Sequence, residues 1–157
     1  MGTVSPDTPW SYTLTLPHDP RSARIARLAL RGVLSSHAWI ELADVAELLL
    51  GELVANAYRY SHGPTEVQVR ELADCRLRIG VWDTNPKVPP PFDAPPDHSA
   101  PATAPEPLAT CGRGLRIVRS YADDWGSWSI GTGRRGASGK LFWCELGDRA
   151  RNSGTVV

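Results

Sequence analysis

The stretch ELADVAELLLGELVANAYRY, residues 41–60, constrains the fold more than any other part of the chain. Leu42, Val45, Leu49, Leu53 and Ala57 recur at helical spacing, so a long apolar stripe has to be covered by a second layer of the protein. A helix advances roughly 100° per residue, which puts Glu52 and Asn56 one turn apart in the sector of Val45, Leu49 and Leu53. Burying an unpaired carboxamide costs at least roughly 2 kcal/mol and a carboxylate more, so both side chains need protein partners or a ligand. A carboxylate with an amide oxygen one turn later suits a hydrated magnesium ion beside a nucleophile. The amide oxygen ligates the hard cation, and the carboxylate orients or deprotonates an attacking hydroxyl or water. The structural alternative is that both residues sit at the margin of the stripe and meet solvent or backbone; ExxxN spacing alone does not decide.

The rest of the chain supplies the covering layer. Residues 10–16 alternate, with Tyr12, Leu14 and Leu16 against Ser11, Thr13 and Thr15, as a half-buried strand does. PHDPRSARIARLALRGVLSSH predicts a first helix with Asp19 as N-cap and Pro20 at the first helical position. Ala23, Ala26, Leu30 and Val33 face inward there, and Arg21, Arg24, Arg27 and Arg31 form a basic face. Gly63 and Pro64 end the second helix. EVQVRELA and RLRIGVWD then alternate on either side of Asp74 and Cys75, which predicts an antiparallel hairpin.

From Asn85 to Thr110 the 26 residues hold nine of the fourteen prolines and no glycine, so this segment is expected to be a loop or lid. In CGRGLRIVRSYADDW two glycines precede a short helical pattern through Leu115, Ile117, Val118 and Tyr121; DWGSWSI and GKLFWCEL follow as strands. The expected fold is α+β: a two-layer sandwich with a mostly antiparallel sheet and helices on one face. The expected organisation is one domain over residues 10–146, with flexible tails at 1–9 and 147–157.

Seventeen basic residues balance seventeen acidic ones, which leaves no electrostatic footprint for nucleic acid or an anionic membrane. No apolar run reaches the roughly 18 residues of a membrane span, and no secretory signal is visible, so the cytoplasm is the expected location. Cys75, Cys111 and Cys144 are odd in number and widely spaced, without disulfide or metal-site spacing.

Two further motifs carry chemistry. Asp83 ends the apolar strand RIGVWD, where a carboxylate can accept a hydrogen bond from an exocyclic amine such as that of adenine; the structural alternative is a turn-forming aspartate. Gly112 to Leu115, GRGL, open a helix whose free N–H groups can hold phosphate, with Arg113 and Arg116 adding charge; a plain loop-to-helix transition has the same pattern.

Taken in order, Glu52-Leu53-Val54-Ala55-Asn56-Ala57, Asp83 after a strand, and Gly112-Arg113-Gly114-Leu115 resemble the GHKL ATP-binding superfamily, which includes histidine-kinase catalytic domains and gyrase. The short form with GRGLRIV and a terminal GKLFWCEL is similar to bacterial anti-sigma-factor serine/threonine kinases, especially the regulatory ATP-binding proteins of actinomycetes. That resemblance implies a left-handed βαβ sandwich, the Bergerat fold, around an ATP site. It implies Asn56 as the magnesium ligand bridging the ATP phosphates and Glu52 as base toward an acceptor hydroxyl. Asp83 would be the adenine contact, Gly112, Arg113, Gly114 and Leu115 the phosphate-side motif, and residues 85–110 the lid. Arg59 and His62 fall where relatives carry polar or basic residues near the phosphates. No phosphoacceptor domain accompanies the motifs, so the implied action is in trans. It would phosphorylate a small antagonist protein, sequester a sigma factor, or both, with a homodimer left open. The basic first helix, an edge strand, or Trp39, Trp125 and Trp128 would offer the protein interface.

Two departures support an alternative reading as a catalytically weak regulatory binding module. Relatives carry DxGxG after the adenine aspartate, whereas DTNPKVP follows here, with Asn85 and Pro86 in place of permissive glycine. A threonine near the adenine in relatives is replaced by Leu141 after Gly139-Lys140.

Overall fold

The computed structural model of the protein describes residues 9–89, 113–130 and 138–147. The alternating segments form β1 (Ser11–Leu16), β2 (Thr65–Leu72), β3 (Arg76–Asp83), β4 (Asp124–Ile130) and β5 (Gly139–Gly147). They make one five-stranded sheet in the order β1-β2-β3-β5-β4, antiparallel at every pairing. The β2–β3 hairpin turns through Asp74 and Cys75, at φ of 68° and 53°. Two successive left-handed residues give a turn whose twist matches that of the strands.

Three helices cover one face: α1 (Ser22–Ser36), α2 (Ala43–Tyr60) and α3 (Arg113–Tyr121). Inward positions of β3 and β5 face each other across the ladder as Leu77 with Leu146, Ile79 with Cys144, and Val81 with Phe142. Val67 and Val69 of β2, Leu16 of β1 and Trp125 of β4 extend this surface. Onto it pack Leu49, Leu50, Leu53, Val54 and Ala57 of α2, flanked by Ala26, Leu30 and Leu34 of α1 and Leu115 and Val118 of α3. The mixed α+β architecture, with an antiparallel sheet and helices on one face, is the one expected.

The helix starts differ from expectation. Asp19 is not the N-cap of α1, and Pro20 lies before the helix, because the Asp19 carboxylate closes a tighter local turn. Its Oδ1 accepts the Arg21 N–H at 2.8 Å, and the Asp19 carbonyl accepts the Ser22 N–H. The hydrogen bond from the Arg21 side chain holds the Asp19 carboxyl down at about 2. Leu34 rather than Val33 reaches the core at the end of α1.

The second helical stretch opens with a 3₁₀ turn over Ile40–Leu42, and the α-helix starts at Ala43. The phase of the buried stripe differs from expectation: at roughly 100° per residue the buried arc of α2 is centred on Ala43, Ala46, Leu50, Leu53 and Ala57, and Val45 falls at its edge, so Val45 is half-buried, as is Leu42 in the 3₁₀ turn. Trp39, just before it, is buried, and its indole N–H donates to Glu71 at 3.3 Å.

On the face without helices, indoles lie flat over glycines. A Cβ on Gly126 would come within 2.6 Å of the Trp143 ring, and one on Gly139 would collide with Trp82. Trp128 beside them is 65% exposed. Arg78 lies over Trp143 at 4.7 Å and pairs, with Arg76, to the buried Glu145.

The phase shift has a measurable consequence. Leu53→Ala is expected to lower unfolding free energy by about 2–5 kcal/mol in urea titration, and the half-buried Val45→Ala by less than half as much. Burial pushes the Cys144 thiol up to about 12, so a thiol reagent near neutral pH should label it only after unfolding, while half-buried Cys75 labels in the native state.

Candidate functional site

Glu52 and Asn56 lie on α2 where that helix passes between the sheet and α3. The Glu52 carboxylate makes no hydrogen bond or ion pair among the described residues, and it is half-buried. Its position is set by α3: a Cβ on Gly114 would collide with Glu52 Oε2 and come within 3.4 Å of Glu52 Cβ and Cδ. Gly114 is therefore within the first turn of α3 rather than ahead of it, and its lack of a side chain lets α3 dock on α2.

One turn along, Asn56 Oδ1 is buried and has no hydrogen-bond partner. It is one of two such side-chain atoms among the described residues, the other being Arg70 Nε. A buried amide oxygen without a donor costs free energy in the protein alone, and a ligand that supplies a donor or a hard cation removes that cost.

Asp83 ends β3 on the helix-facing side, opposite Lys140 of β5 in the ladder. The apolar rungs of the core thus finish in an ion pair, Lys140 Nζ to Asp83 Oδ1 at 2.9 Å, with each residue only 1% exposed. The Asn85 N–H also donates to Asp83 Oδ1, at 2.8 Å, and Lys140 Nζ donates to the Asn85 carbonyl at 3.0 Å. Asp83 is thus a turn-forming aspartate, one of the two alternatives its position in the sequence offers, and is also ion-paired to Lys140, which the sequence shows only as the neighbour of Leu141. The missed signal was strand alternation: Lys140 takes an inward position in a strand whose other inward positions are Phe142, Cys144 and Leu146.

The residues after Asp83 are held to several elements at once. Thr84 and Ser61 hydroxyls bond at 2.8 Å, the Asn85 amide donates to the Tyr60 carbonyl at 2.7 Å, and its Oδ1 accepts the Lys87 N–H at 3.0 Å. Ser129 of β4 donates to the Pro86 carbonyl at 2.7 Å. The stiffness expected of Asn85-Pro86 is thus present, but the Asn85 side chain supplies contacts where the sequence suggested only losses. These bonds join the C-terminal end of α2, which carries Asn56, to the strand end that carries Asp83.

Leu115 is buried and anchors α3 in the core. Gly112, the side chain of Arg113 and residues 90–110 of the expected lid lie outside the described residues. Arg59 is exposed over the Tyr60 ring at 6.0 Å, and exposed His62 lies 5.8 Å from the His18 ring. Neither bonds to Glu52, Asn56 or Asp83 among the described residues. Trp39 and Trp125 belong to the core, leaving Trp128 as the exposed one of the three tryptophans proposed for an interface.

The model of a protein family described as Histidine kinase-like ATPase domain matches residues 16–137. The matched span contains Glu52, Asn56, Asp83 and Gly112 to Leu115, and ends before Lys140. A search of curated proteins found no match.

The close approach of α3 to Glu52 is testable by one methyl group. Gly114→Ala should displace the Glu52 carboxylate or lift α3 from α2, lowering unfolding free energy by about 1–3 kcal/mol in thermal or urea unfolding. An unchanged midpoint would mean that the helices are not packed this closely in solution.

Proposed function

We propose that this chain, which belongs to the histidine kinase-like ATPase domain family, is a magnesium- and ATP-dependent serine/threonine protein kinase of the anti-sigma type. It would phosphorylate a small antagonist protein, sequester a sigma factor, or do both. The observation that carries the reading is the buried Asn56 Oδ1, one turn from the Glu52 carboxylate, neither of them with a partner among the described residues.

The Asn56 oxygen fits magnesium, which takes hard oxygen donors at octahedral positions and draws several of its ligands from phosphate and water. Among the described residues no cluster of three His, Cys, Asp or Glu side chains could hold a metal alone, so phosphate and water would complete the set. When bound, the ion would neutralise charge on the phosphates of ATP. The protein's own residues would do the rest. Asp83, at the far end of the bonded strand end, would accept from the adenine amine. Gly114 and the first turn of α3 would lie on the phosphate side, where free helix N–H groups favour anions. Glu52 would accept the proton from the serine or threonine hydroxyl as its oxygen bonds to the γ-phosphorus and the bond to the ADP oxygen breaks.

A regulatory module that binds a partner without turnover is the second reading. It is favoured by the ion pair that already engages Asp83 Oδ1 and by the bonds that hold Thr84 to Lys87 in place. The exposed Trp128 would then be the working surface, since Arg21 and Arg31 of the expected basic face are already paired, with Asp19 and with Asp44 and Glu47.

Isothermal titration with magnesium and ATP separates the readings. Wild type should bind, and Asn56→Asp should bind about tenfold or more weakly, ~1.4 kcal/mol, since a carboxylate there faces phosphate charge. Absence of heat with wild type at millimolar nucleotide would remove the substrate from the proposal. Glu52→Ala should keep ATP affinity within about twofold and lose transfer from γ-labelled ATP to an acceptor protein by about 10²–10⁴-fold. Equal transfer by variant and wild type would take Glu52 out of the mechanism.

A further inference from the structure

The sheet core ends in a rung that an apolar pair would have filled at less desolvation cost. Leu77 with Leu146, Ile79 with Cys144 and Val81 with Phe142 are followed by Asp83 with Lys140. A buried ion pair is weak as a source of stability relative to a hydrophobic pair of similar volume, so the pair calls for another role.

Its hydrogen bonding is one-sided. Asp83 Oδ1 receives both Lys140 Nζ, at 2.9 Å, and the Asn85 N–H, at 2.8 Å, while among the described residues no hydrogen bond reaches Oδ2. A lysine ammonium has three N–H donors, and here one goes to Asp83 Oδ1 and one to the Asn85 carbonyl at 3.0 Å. The third has no hydrogen-bond partner among the described residues. One rung therefore holds, nearly enclosed, a carboxylate oxygen and an ammonium N–H to which no described residue is hydrogen-bonded, with Lys140 Nζ 5.5 Å from the Phe142 ring centroid.

We infer that Lys140 is a specificity-determining residue of the nucleotide site, donating its third N–H to N1 of adenine while Asp83 Oδ2 accepts from the 6-amino group. This rests on the proposed ATP-binding role. Adenine presents a donor and an acceptor side by side on one ring edge, and the rung presents the complementary acceptor and donor without breaking the Lys140–Asp83 contact. Lys140 also positions Asp83, because it holds Oδ1 at 2.9 Å and so leaves Oδ2 as the oxygen for the 6-amino group. The hydrogen bond to N1 is charge-assisted, which makes its loss readable in binding.

The test pairs a change in the ligand with a change in the protein. Magnesium-bound ATP is compared by calorimetry with its 1-deaza analogue, in which a C–H replaces N1, on wild type and on Lys140→Met. Loss of N1 should weaken wild-type binding about tenfold and Lys140→Met binding by less than about twofold. Should an unpaired Asp83 prevent Lys140→Met from folding, Asp83→Asn combined with Lys140→Met replaces the whole pair with neutral groups. The same small N1 penalty is expected there. An equal N1 penalty in wild type and variant would overturn the role of Lys140 while leaving ATP binding intact. No binding of ATP to folded wild type would overturn both this inference and the function on which it rests.

Discussion

Burial of one broad face of α2 is the constraint on which the rest depends. Leu49, Leu50, Leu53, Val54 and Ala57 pack against the sheet, α1 and α3, and Asp44, Leu48, Tyr58 and Arg59 meet solvent, which leaves a rim between the two sides where a polar group is costly unless it finds a partner. Glu52 and Asn56 occupy what remains. Gly114 approaches Glu52 closely, and among the described residues neither the Glu52 carboxylate nor Asn56 Oδ1 has a hydrogen-bond partner. The same packing that stabilises the core therefore encloses one unsatisfied oxygen, Asn56 Oδ1, one turn from the half-buried Glu52 carboxylate. A hard cation, or a ligand that supplies a donor, is the complement of the Asn56 oxygen, since the energetic deficit exists before it arrives.

The second polar centre is built by the sheet. Asp83 and Lys140 continue the inward register of β3 and β5 one step past the apolar rungs, and Asn85 closes the pair from the following residues. Hydrogen bonds from Thr84 and Asn85 to the end of α2 then connect the two centres through short covalent and hydrogen-bonded paths. Neither centre is free to move far without disturbing the other, which is the arrangement a site for a two-ended ligand such as a nucleotide requires.

Much of this was legible in the chain. Alternation in TEVQVREL, RLRIGVWD and KLFWCEL marked the strands, because one face of each is buried and the side-chain period in a strand is two. The spacing of Glu52 and Asn56 on one helix, and Gly114 beside Leu115, pointed to the residues that the fold brings to α2 and α3. What was not legible was non-local or phase-dependent. The 3₁₀ turn at Ile40–Leu42 set the start of α2 at Ala43, and the local turn made by Asp19 delayed α1; both arise from hydrogen bonds that a periodicity does not encode. The partnership of Asp83 with Lys140 depends on β5 lying next to β3 although α3 and β4 intervene in the chain, so 57 positions separate its members.

The indoles lying on glycine across the outer face bear on that same pairing. Trp143 covers Gly126, its direct partner in the β4–β5 ladder, and Trp82 covers Gly139 at the start of β5. A slip of one position would exchange the two faces of a strand and drive these rings against Cβ atoms. Tryptophan over glycine thus works as a registration key, cut on the wet side of the sheet, that keeps opposite charges aligned on the dry side.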